Sequence, residues 1–184
     1  MRSHKEGEYM IRYLLLSFIL TAPFQAFAQA EKKQEFPPDT KMAPARLVKL
    51  IVDKDHYTEI NYPARPVVVD GLINMIPGEE IFIEAEVSGD KLVNLKWVDT
   101  VKNPDRTIKL SFSQSDDKES PMMMLNITNP FDRDLVYEAG IQVYGRQKFS
   151  KTSALPIAAK LGAYEMWPDT ITRILLKNFH FKKQ

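Results

Sequence analysis

Few side chains in this 184-residue chain are suited to chemistry, and the most unusual are three adjacent methionines, Met122, Met123 and Met124. Thioethers are soft donors that select copper(I), so a carrier of copper(I) or another small ligand could use Met122 and Met124, with His56 as a further candidate ligand. In a strand Met122 and Met124 face one way and Met123 the other. No third ligand lies nearby in sequence, and methionine also fills irregular core gaps or lines greasy grooves. A second cluster, Asp53-Lys54-Asp55-His56, could ligate a cation if a loop curled around it; it reads equally as a polar hairpin turn. Glu84 and Glu86 would emerge on one strand face about 7 Å apart, which suits a carboxylate-based hydrolase and also the charged outer face of an exposed sheet. Tyr144, Arg146, Lys148 and Lys151 form a basic, aromatic stretch after a strand, the candidate surface for contact with a polypeptide or polyanion.

Much other chemistry is excluded. The chain has no cysteine, which removes disulfides, thiolate zinc sites, iron–sulfur clusters and cysteine nucleophiles. There is no Gly-x-Ser-x-Gly stretch to present a serine nucleophile, and the seven glycines are scattered singly, so no loop is built to cradle phosphate. With 25 basic and 24 acidic side chains, the formal charge of +1 gives no broad electrostatic reason to bind nucleic acid. These residues lead to the expectation of a non-enzymatic protein without a cofactor.

Residues 1–28 have the layout of a signal peptide. Arg12 precedes an apolar run over 14–22, and Ala26-Phe27-Ala28 supplies a small-x-small cleavage site after Ala28. An apolar stretch of about nine residues falls short of the roughly 20 needed to span a bilayer, so no transmembrane anchor is expected after cleavage. Glu6 and Glu8 are out of place in a basic leader, which makes Met10 an alternative start to Met1. Loss of residues 1–28 would remove Arg2, Lys5 and Arg12 against Glu6 and Glu8, leaving a mature chain with no net charge. Export without cysteine fits a Gram-negative bacterial periplasm better than eukaryotic secretion, where small domains lean on disulfides.

The mature chain then divides into a proline-bearing, charged leader over 29–45 and one folded domain over 46–184. In that domain short apolar runs recur with turn chemistry between them, and their period is two. Ile81, Ile83, Ala85 and Val87 share one face of a half-buried strand, and Ile108, Leu110 and Phe112 share a face of another. Further strands are expected over 47–52, 67–69, 92–98, 122–128, 135–144, 163–167 and 171–181, with Phe179 and Phe181 inward and His180 outward. Pro156 makes 153–161 an extended segment rather than a helix. Trp97, Trp167 and the Phe179/Phe181 pair are the expected core.

Two stretches resemble the Ig-like sandwich family. One is the turn feeding an alternating strand over 77–85. The other is the strand, Asn129-Pro130 turn and strand over 124–137, similar to Ig-like periplasmic modules. The resemblance is architectural and implies an all-β, Ig-like antiparallel β-sandwich of about seven to nine strands, with no catalytic or binding residue attached. The functional expectation is an exported periplasmic module that binds an envelope protein or component through its loops or a sheet edge.

Overall fold

The computed structural model describes Phe36 and residues 40–183; the expected signal peptide and most of the leader lie outside them. The chain is all-β. Its strands are β1 (Met42–Ala43), β2 (Arg46–Asp53), β3 (His56–Tyr62), β4 (Arg65–Pro66), β5 (Val68–Val69), β6 (Leu72–Met75), β7 (Glu79–Ser88), β8 (Lys91–Val98), β9 (Thr107–Gln114), β10 (Met123–Thr128), β11 (Leu135–Val143), β12 (Ser150–Thr152), β13 (Gly162–Trp167) and β14 (Ile171–Phe181). The only helix among the described residues is one 3₁₀ turn, Pro104–Arg106, and none is long and apolar enough to cross a membrane.

The strands pair antiparallel in the order β12-β11-β14-β8-β7-β9-β10-β13, with β6 and then β5 branching from β14. Two half-sheets result. Strands β8, β7, β9, β10 and β13 make one, and β12, β11, β14, β6 and β5 the other. They are joined by a single strand pair, His180 opposite Lys91. Alternating side chains from both halves meet in one apolar cluster: Ile81, Ile83, Leu110, Phe112, Leu125 and Ile127 from the first, Ile73, Leu135, Tyr137, Ile174, Leu176 and Phe181 from the second. That shared core makes the pair of half-sheets a β-sandwich.

Two bulges keep the alternation in register with the core. In β14 the pairing with β11 slips between Val136–His180 and Glu138–Lys177, where Asn178 sits at φ 56°. A strict period of two would send either Ile174 and Leu176 or Phe179 and Phe181 outward; the extra residue turns all four inward. In β8 the pairing with β7 slips between Lys96 and Val93, with Asn94 at φ 50°, so Leu92, Leu95 and Trp97 all reach the core side. Asparagine tolerates this left-handed conformation better than most residues.

The hairpin of β2 and β3 stands apart as a two-stranded sheet. Gln114 pins it by exchanging hydrogen bonds with the backbone of Ile51, 2.7 Å in each direction, and the Tyr62 hydroxyl donates to the Thr172 carbonyl. Beside it, Arg65 and Glu79 form a buried ion pair in which Glu79 also accepts the Ile76 amide at 2.8 Å.

Several expectations are corrected by packing. Trp97 and Trp167 are only half-buried against the core, because β8 and β13 lie at the rims of their half-sheet. Val87 is exposed where β7 overruns the core. Strands β3 and β6 fall outside the expected set, and 153–161 is no helix but is only partly extended: it bridges to Leu135 through Ile157 and then turns at Ala159-Lys160, with Lys160 at φ 61°.

Candidate functional site

The sequence candidates are scattered over the surface rather than gathered. His56 sits in the β2–β3 turn, its Nδ1 2.7 Å from Asp53 Oδ1. The amide of Asp55, and after it the His56 ring, holds the Asp53 carboxyl below its usual range. This is the satisfied polar turn, and no group of three His, Cys, Asp or Glu able to hold a metal is present among the described residues. Glu84 accepts Asn103 Nδ2 at 2.8 Å and Arg106 at 3.1 Å, while Glu86 accepts Asn94 Nδ2 at 2.7 Å, so each carboxylate is engaged by its own neighbours. Tyr144, Arg146 and Lys148 are exposed in the β11–β12 turn, with Lys151 in β12. Met123 is core; Met122 and Met124 lie on the opposite, outer face.

One concave feature was not legible in the sequence. It runs along β8, whose inner edge pairs with β7 and whose outer edge, among the described residues, meets a strand only at Lys91, with Thr40 lining the groove and Lys41 over the Trp97 ring. Across from that edge lies β5, which among the described residues pairs on one side alone, with β6. Between them are two joined depressions of about 700 and 590 Å³. Val68, Leu92 and Leu95 line the first, with Asp70, Asn94 and Lys96 at its margins. The second continues past Lys91 and Leu92 to Lys177, Asn178, Phe179 and His180.

The bulges create this groove. β14 gives its edge to β6 over Ile174–Leu176, bends at Asn178, and then gives it to β8 at His180. Neither β6 nor β8 therefore continues the other's ladder, and a gap opens between them. The Asn178 side chain beside the Glu138 carboxyl, and after it Lys151 and Lys177, keeps that carboxyl below its usual range. A free strand edge offers unpaired backbone donors and acceptors, and a groove beside it offers sites for alternate side chains. The only signals in the sequence were Asn94 and Asn178 inside strand-like runs.

The opposite rim is treated differently. Edge strand β13 turns Glu165 inward, opposite the core residue Leu125, and the carboxylate accepts the Leu155 amide at 3.2 Å. Trp167 Nε1 donates to Thr152 Oγ1 at 3.1 Å. An inward charge and a crossing segment are recognised ways of blunting a sheet edge.

The fold thus defines an all-β sandwich in which, among the described residues, the β13 rim is blunted and the outer edge of β8 is open beyond Lys91. Compared with known protein families, curated proteins and solved structures, the chain matches none.

Proposed function

We propose that the protein is an exported, non-enzymatic interaction module of the Ig-like kind, acting in the periplasm, and that it binds an extended segment of an envelope protein along the open edge of β8. The observation that carries this reading is the outer edge of β8, which among the described residues pairs with a strand only at Lys91, beside the groove that faces β5. Eight residues of β8 offer roughly 26 Å of edge at strand rise, room for a strand of six or seven residues. Leu92 and Leu95 would receive its apolar side chains. Lys91, Lys96 and Lys177 outnumber Asp70 and Glu138 along the groove, which favours a segment carrying acidic side chains.

The test is in-cell photo-crosslinking from position 93, on the outer rim of β8, compared with position 57 in the distant hairpin. A discrete partner adduct from 93 that disappears in a Lys96→Glu, Lys177→Glu variant, which reverses exposed charges along the groove without touching the core, supports the reading. Equal adducts from both positions, or none from 93, removes it.

A further inference from the structure

Register places a third thioether beside the methionine pair. Met166 of β13 lies directly opposite Met124 of β10, and both face outward. Met122 continues the same face: its amide donates to Ser115 Oγ at 2.9 Å and its carbonyl accepts the Ser115 amide at 2.8 Å, extending the β9–β10 ladder by one rung. Directly opposed side chains have Cβ atoms about 4.5–5.5 Å apart and diagonal ones about 7–8 Å, distances that flexible methionine side chains can close to meet at a point. On the β9 side the neighbours are Ser113 and Ser115, too small to separate the sulfurs. Met166 is 60% exposed and Tyr164 beside it 78%, so the face is open to solvent.

From this geometry we propose that Met122, Met124 and Met166 form a binding site for a soft monovalent cation, copper(I) in its natural setting. Neutral thioethers discriminate for copper(I) and against hard or borderline divalent ions. The loop entering β10 carries Asp116, Asp117 and Glu119 against Lys118, a negative field next to Met122. The nearest lysine on the face, Lys109, is two same-face rungs from Ser113, about 13 Å along β9. Thioethers have no proton to lose, so binding here is independent of pH, unlike binding through imidazole. His56 takes no part: it lies in the β2–β3 turn, engaged by Asp53. The site is separate from the β8 groove, on another face of the same half-sheet, and stands or falls without it.

The experiment is titration of the exported chain with silver(I), a redox-stable soft ion, and anaerobically with copper(I), followed by the methyl resonances of ¹³C-methyl-methionine. Expected are one ion per chain, selective shifts of the Met122, Met124 and Met166 methyls, and the same affinity at pH 5 and pH 7.5. Met166→Leu and Met124→Leu should each weaken binding at least tenfold, and His56→Gln should leave it unchanged. Both methionines are at the surface, so circular dichroism should report native folding in the variants. Shifts spread over all methionines, undiminished binding in Met166→Leu, or loss of binding in His56→Gln would overturn the proposal.

Discussion

At the scale of single residues, the buried polar groups are the points of greatest sensitivity. Glu79 holds Arg65 and the Ile76 amide in a site where both charged side chains are almost wholly enclosed. Removing one partner of such a pair leaves the other charge buried and unpaired. Glu79→Ala should therefore cost about 3–5 kcal/mol, read from urea denaturation; a loss below 1 kcal/mol would mean that Arg65 finds solvent. Asn129 is a second such point. Its Nδ2 donates to the carbonyls of Arg133, Ile157 and Ala158, and its Oδ1 accepts the Phe131 amide at 3.0 Å, tying the β10–β11 turn to the segment before β13. Asn129→Ala strands several buried backbone groups, and we expect a loss of about 2–3 kcal/mol in the same assay. The turn at Asn129-Pro130 was readable from residue types, but two of the three carbonyls it collects, those of Ile157 and Ala158, come from a segment nearly thirty residues away.

Among the elements, the two bulged strands decide most. Asn178 at φ 56° lets β14 serve the core with Ile174 and Leu176 before the bulge and with Phe179 and Phe181 after it. Asn178→Gly should be tolerated, whereas Asn178→Val puts a β-branched side chain in a left-handed conformation and should cost about 1–2 kcal/mol or more. Thermal denaturation of the two variants side by side checks this, and equal stability would show that β14 can pair without the bulge. The alternating runs of β7 and β9 were plain in the sequence because each carries a single uninterrupted period of two. β14 was recognised as a strand, but its bulge was not, since Leu175-Leu176-Lys177-Asn178 carries no pattern that says where a register will slip.

For the molecule as a whole, stability should be bounded at both ends of the pH scale. Asp53, Asp90 and Glu138 are all held below the usual carboxylate range, Asp90 chiefly by the Arg133 side chain. Groups with depressed folded-state values stabilise above their unfolded values of about 4, and that contribution is lost as pH falls through the folded ones. Burial raises the Tyr62 and Tyr137 hydroxyls, whose contribution is complete below about pH 10 and lost as pH climbs through their folded values. A melting temperature that is flat from pH 5 to 9 and falls below about 4 and above about 10 is the expected profile; a melting temperature that stays level below about pH 4 would show that the carboxylates contribute nothing. What the sequence determined by itself was the all-β class, most of the long strands, and the inward faces of Ile108, Leu110, Phe112, Phe179 and Phe181, because strand periodicity is a local property of neighbouring residues. It also showed Met122 and Met124 sharing a face. The partner of those methionines, the edge of β8 left open among the described residues and the groove between β8 and β5 were decided only by tertiary structure, because cross-strand register joins residues some forty positions apart and a gap between strands is a property of no single strand.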